Sequence, residues 1–134
     1  MSELRNFDNW SKSLQNFDWL KQATTGATDI DVFIERHGRF IFIEGKEWRK
    51  DYGLEVPYGQ HKALYTLSKQ PNTTVYLVGE TPAATIYVAN VALSPKPEYI
   101  RSRRTVWWRA QTFQPVSKDD FTATIREWWE DKAA

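Results

Sequence analysis

A chain of 134 residues with 41% apolar and 26% charged side chains has enough of both to fold as one domain around its own core, which excludes a disordered chain. Its formal net charge of +1 excludes a surface that is basic throughout, so any nucleic-acid contact has to come from a local patch. With no cysteine, disulfides, thiol catalysis and Cys-ligated zinc are excluded, and the two histidines, His37 and His61, lack the spacing of zinc ligands. No stretch approaches the roughly 18 apolar residues of a membrane span, and the opening MSELRNFDNW does not read as a signal peptide. A cytoplasmic protein without membrane association is expected. Seven tryptophans read first as core, with base or sugar stacking, or a dimer interface, as the other uses.

Taken in chain order, residues 4–20 place Leu4, Phe7, Trp10, Leu14 and Phe17 at helical spacing, with Asp18 inside the apolar stripe. Gly26 and its threonine-rich neighbours end that segment. A β-hairpin follows over about 29–46. A loop through Tyr52, Gly53 and Pro57 leads to a helix over about 58–69, closed by Pro71. Thr73–Gly79 and Ala84–Leu93 are β-rich, with turn signals at Gly79 and Pro82. Pro95 and Pro97 mark a loop carrying Arg101, Arg103 and Arg104, and Thr105–Phe113 reads as a further strand. Ser117 to Asp120 has the form of a capping box, opening a helix that ends near Lys132. The order α-β-β-α-β-β-β-α predicts a single α/β (mixed α+β) domain over 1–134, with a central mixed sheet flanked by helices.

The hairpin TDIDVFIERHGRFIFIEGK, Thr28 to Lys46, is the chemically informative stretch. His37-Gly38 suits a two-residue type I′ turn, because Gly takes positive φ freely and His tolerates it better than most residues. With those two as the loop, Asp31 faces Glu44, Asp29 faces Lys46 and Phe33 faces Phe42. Directly opposed residues share a sheet face with Cβ atoms about 4.5–5.5 Å apart. Val32, Ile34, Ile41 and Ile43 then form an apolar face given to the core, and the charges gather on the other face at the open end. Like charges set opposite each other are destabilising, so Asp31 against Glu44 calls for an offsetting group, for which a bound metal ion is the obvious candidate. The triplet Glu44-Gly45-Lys46 carries little by itself, since Glu130-Asp131-Lys132 repeats its pattern at a helix end.

Asp31…Glu44-Gly45-Lys46 resembles the D…E-x-K core of the PD-(D/E)xK nuclease superfamily, most of all its Holliday-junction-resolvase-like and phage-encoded members. The likeness covers about 40 residues: the Asp strand, the turn, the E-x-K strand and the following helix, whose Gln60 shares a face with Leu64 and Leu67. The family's proline before the aspartate is replaced by Ile30, and its N-terminal helical glutamate has Asp18 as the nearest counterpart. The resemblance implies a restriction-endonuclease-like core and Mg²⁺-dependent hydrolysis of DNA phosphodiesters, with Mn²⁺ as a substitute. It implies Asp31, Glu44 and the Gly45 carbonyl as metal ligands, and Asp31, Glu44, Lys46 and Gln60 as the catalytic set. Lys46 would offset developing negative charge or position the attacking water, and Gln60 would orient that water or Lys46. Asp29 is open between pairing with Lys46, an outer-shell contact and plain solvation.

Arg49, Lys50, Arg101, Arg103 and Arg104 are the basic candidates for phosphate contact, with an ordinary solvated loop as the alternative for the last three. DNA of particular shape (a junction, flap or end) is the expected substrate class. Junction resolution would call for a homodimer, because it needs two symmetric cuts. Two other classes stay open: a catalytically silent relative binding DNA or a protein, and an unrelated module binding carbohydrate or protein through Trp107-Trp108 and Trp128-Trp129.

Overall fold

A computed structural model describes residues 30–131 of the chain. The expected helix over 4–20 with Asp18, and also Asp29 and Lys132, lie outside those residues. The described elements are β1 (Val32–Arg36), β2 (Arg39–Glu47), β3 (Gly53–Pro57), α1 (Tyr58–Ser68), β4 (Thr73–Glu80) and β5 (Thr85–Asn90). A turn of 3₁₀ helix at Val91–Leu93 leads to β6 (Glu98–Ile100) and β7 (Thr105–Arg109), and a second at Ala110–Thr112 leads to β8 (Gln114–Ser117) and α2 (Lys118–Glu130). The class is mixed α+β, with a mixed sheet and two α-helices among the described residues. No helix among the described residues is long and apolar enough to cross a membrane.

The hairpin turn forms as its residues dictate: His37 and Gly38 both take positive φ, 54° and 79°. The ladder that follows pairs Val32 with Ile43, Phe33 with Phe42 and Ile34 with Ile41, the expected register. The main sheet runs β1-β2-β4-β5-β8, and β2 and β4 are parallel whereas its other pairs are antiparallel. A parallel pair needs a crossover, which β3 and α1 supply. A second, antiparallel sheet runs β3-β7-β6.

Four stretches differ from expectation, the first being Ala84–Leu93, whose strand ends at Asn90 before the 3₁₀ turn. The Tyr52–Pro57 segment is partly a strand, because Leu54 and Val56 alternate with Glu55 and bury fully against β7. Only five residues long and bounded by Gly53 and Pro57, β3 looks like turn punctuation in sequence. The Thr105–Phe113 strand ends at Arg109, where the 3₁₀ turn redirects the chain from the second sheet to β8 of the first. The loop after Pro97 contains the three-residue strand β6.

One face of the main sheet (Phe42, Val75, Leu77, Ala89) packs with Leu64 and Leu67 of α1 and with Leu54, Val56, Val106 and Trp108 of the second sheet. Each such buried aliphatic contributes about 1.5–3 kcal/mol relative to an exposed one. The other face carries Val32, Ile34 and Ile43 alongside Phe121 and Ile125 of α2. Buried Arg39 fixes the far end of α2: its guanidinium donates to the Trp128 carbonyl at 3.0 Å and the Asp131 carbonyl at 3.2 Å, and lies 4.5 Å from the Trp128 ring. A cation suits the negative end of a helix dipole. At the other end, Ser117 Oγ accepts from Asp120 N at 3.0 Å, so the capping box forms.

Candidate functional site

Because β2 and β4 run in the same direction, their carboxyl ends lie side by side, with Lys46 in register with Gly79 and Glu47 with Glu80. In open α/β sheets ligands bind outside the carboxyl ends of parallel strands. The hairpin brings Asp31, which directly precedes β1, to this edge.

Glu44 is the pivot. Its side chain alternates with Phe42 and so points to the face occupied by the main core, and it is only 3% exposed. The face on which the charges gather is therefore itself covered, so that both faces of the hairpin pack against other elements. Glu44 Oε1 accepts from Asp31 N at 3.3 Å, and Oε2 lies 3.2 Å from Lys46 Nζ. Gly45 N in turn donates to Asp31 Oδ2 at 2.8 Å. Burial, and then the nearby Asp31 carboxylate, push the Glu44 carboxyl above its usual range, while Lys46 and the Asp31 amide pull less strongly the other way. A buried acid raised by desolvation and held by a specific charge partner is a recognised mark of a functional site.

Asp31, Glu44, Gly45 and Lys46 thus form one bonded set. Within a strand the N–H and C=O of one residue point to the same side, so the Gly45 carbonyl faces the same edge as its amide, past the start of β1. Gln60 is half-buried on α1, one turn before buried Leu64, as its spacing requires.

A further carboxylate belongs to this edge. A methyl group built on Gly45 would sit 3.0 Å from Glu80 Oε2 and 3.5 Å from Asp31 Oδ2, so both carboxylates reach the space that glycine leaves open. Sequence reasoning missed Glu80. It ends the β-rich run TTVYLVGE, and the signal that would have found it is the parallel pairing of that run with the E-x-K strand. Among the described residues no group of three or more His, Asp or Glu side chains converges closely enough to cage a metal ion.

The basic candidates separate. Arg49, Lys50, Arg101 and Arg104 are exposed. Arg103 is engaged: its guanidinium donates to both Glu55 carboxylate oxygens, at 3.0 and 2.8 Å, and Glu55 also accepts from Thr105 Oγ1 at 2.6 Å and from the Tyr52 hydroxyl. These bonds hold the Glu55 carboxyl down at about 2. Of the tryptophan pairs, Trp108 is core and Trp107 stacks on Tyr52 at 4.8 Å. Trp128 and Trp129 lie against Arg39 and Arg36.

No protein-family model, curated protein or solved structure matches the chain.

Proposed function

We propose that the protein is a metal-dependent nuclease acting on DNA, with its site at the carboxyl ends of β2 and β4 and a restriction-endonuclease-like core around it. The observation that carries the reading is buried Glu44, bonded to Asp31 and Lys46 at that edge. A carboxylate buried beside a second one costs stability even with Lys46 against it, and proteins keep such costs where function needs them.

The donor set suits a hard cation. Asp31, Glu44 and the Gly45 carbonyl offer oxygen only, and Mg²⁺ takes one or two carboxylates while keeping several waters. Mn²⁺ has the same oxygen preference. When bound, the metal supplies positive charge against the phosphate and a more acidic water. Lys46, its ammonium already at the edge, stabilises negative charge developing on the phosphate. Gln60 would orient the attacking water or Lys46, Glu80 adds negative potential beside Asp31, and Arg49, Lys50, Arg101 and Arg104 are available to backbone phosphates.

A second reading has an observation of its own. The Asp31–Gly45 and Asp31–Glu44 bonds also clasp the open end of the hairpin, as they would in a catalytically silent protein that binds DNA or a partner. Labelled single-stranded, duplex, flapped and four-way DNA, incubated with Mg²⁺ or Mn²⁺, separates the two. Cleavage by the wild type and its loss in Asp31→Ala, Glu44→Ala and Lys46→Ala supports the nuclease. Cleavage surviving all three changes overturns the site, and binding without cleavage under either metal favours the silent protein. Preference for the four-way substrate would call for a homodimer, which sedimentation would reveal.

A further inference from the structure

A groove of about 790 Å³ runs between α1 and the segment 91–99, away from the carboxylate edge in its lining. Every charged residue that lines it is a lysine: Lys62, Lys69 and Lys96. Three of its aromatic residues, Tyr58, Tyr65 and Tyr99, are 43%, 45% and 47% exposed, which is unusual for side chains of this size. We propose that this groove binds single-stranded nucleic acid, its tyrosines stacking on unpaired bases and its lysines meeting the phosphates.

The spacing is the argument. Tyr58, Lys62, Tyr65 and Lys69 recur at intervals of four, three and four, which places them on one stripe of α1 and its C-cap. At the helical rise that stripe is about 16 Å long, room for a few nucleotides. Ring and cation alternate along it, as base and phosphate alternate along a strand. Across the groove Tyr99 approaches Tyr58, with ring centroids 5.0 Å apart, and Lys96 adds a third cation. The nearest acid in sequence, Glu98, is paired with Arg109 and does not line the groove.

In the free protein Lys62 Nζ lies 5.6 Å from the Tyr58 ring and Lys69 Nζ 4.7 Å from the Tyr65 ring. An exposed cation–π contact is weaker than a base stack, so an incoming base displaces the ammonium, which turns to the adjacent phosphate. A duplex does not fit this chemistry, because its base faces are already stacked on one another. A proline-rich peptide would use the rings but not the three lysines.

The test uses the full chain in EDTA, so that binding is read without cleavage, and fluorescence anisotropy with a labelled oligothymidylate of about twelve nucleotides and a matched duplex. Tyr58→Ala, Tyr65→Ala and Tyr99→Ala should each weaken single-strand binding at least about fivefold, and the Phe variants should keep it within about twofold. A thermal melt of each alanine variant shows that it is folded at the assay temperature, so that loss confined to Ala is loss of the ring. Replacing Lys62, Lys69 and Lys96 together by Gln should flatten the dependence of log K on log salt by about 2. Equal affinity for duplex, or alanine variants as tight as wild type, overturns the proposal; loss on lysine substitution alone reduces the groove to a generic polyanion surface and overturns it too. The proposal does not rest on the nuclease reading: the groove is read by binding in EDTA and the carboxylate edge by cleavage with Mg²⁺, so failure of cleavage and failure of this groove are told apart.

Discussion

Glu44→Gln tests the site through stability before any substrate is added. The change keeps the side chain's size and leaves an amide oxygen to accept from Asp31 N, so that bond is largely retained. What is lost is the pairing with Lys46, whose side chain is 25% exposed and so keeps water on its ammonium when the partner is neutral. What is gained is relief from burying a negative charge beside Asp31, the two effects that dominate the upward push on the Glu44 carboxyl. The gain therefore exceeds the loss, and Glu44→Gln should be more stable than wild type at pH 7. Relaxing a functional site typically yields about 0.5–2 kcal/mol. At this chain length each kcal/mol moves the melting temperature by about 3–5 °C.

The pH dependence has a definite sign. The folded-state pKa of Glu44 lies above the ordinary 4.5, so the folded protein holds this proton where the unfolded chain has released it. The contribution of Glu44 is then most favourable at acid pH and is lost as pH rises from 4.5 through the raised folded-state value. Glu44→Gln lacks that loss, so the difference between the two proteins should be small near pH 4, grow with pH and level off. Thermal melts of both proteins in EDTA, at matched pH, measure the difference and cancel the titration of other groups. Mg²⁺ at about a hundred times its dissociation constant should then restore about 2.7 kcal/mol to the wild type and nothing to Glu44→Gln. A variant less stable than wild type at pH 7 in EDTA, with a difference that does not grow with pH, would refute the reasoning: Glu44 would be an ordinary ion-pair partner of Lys46.

Lys46→Ala should lower cleavage about 10²–10³-fold while the Mg²⁺-induced melting shift survives; losing the shift as well would assign Lys46 to building the site rather than to charge stabilisation. Glu55→Gln should cost about 1–2 kcal/mol near neutrality, Arg103 being exposed. With the Glu55 carboxyl held at about 2, that advantage is present above 4.5 and disappears as pH falls toward 2, which an acid titration of both proteins would follow. Gly53→Ala should destabilise by roughly 3 kcal/mol or more in urea, since φ is +111° and the added methyl would lie 2.1 Å from the Trp108 carbonyl oxygen.

The parts of the site legible in the sequence are those set by near neighbours. Two residues, His37 and Gly38, decide the turn, and the turn decides that Asp31 meets Glu44. The Ser117 cap is likewise contained within four residues. Glu80 could not be found that way, because its position depends on β4 docking parallel to β2 across the whole β3–α1 crossover. The burial of Glu44 was missed for the same reason. Strands in parallel pairing are covered on both faces and read as continuous apolar runs, and the run Phe40-Ile41-Phe42-Ile43 has that form rather than strict alternation. The short strand β3 was hidden by its own boundaries, a glycine and a proline that each also mark turns.

That burial is also what separates the two E-x-K triplets of the chain. Glu130 ends α2 exposed to solvent, where a charge costs nothing and implies nothing. Glu44 is buried on the core face, against a second carboxylate, with one lysine to offset it. A sheet optimised for stability alone would continue the pattern of Phe40 and Phe42 with another apolar residue at 44, which would fill the same space without desolvating a charge. Placing glycine at 45 adds to the cost, because it opens the edge to Glu80 and brings a further carboxylate near that of Asp31. Three acids and one amine drawn to the carboxyl ends of a parallel pair make poor structural glue. On the nuclease reading proposed above they would be oxygen donors to a hard cation, which would offset part of the repulsion between Asp31 and Glu44.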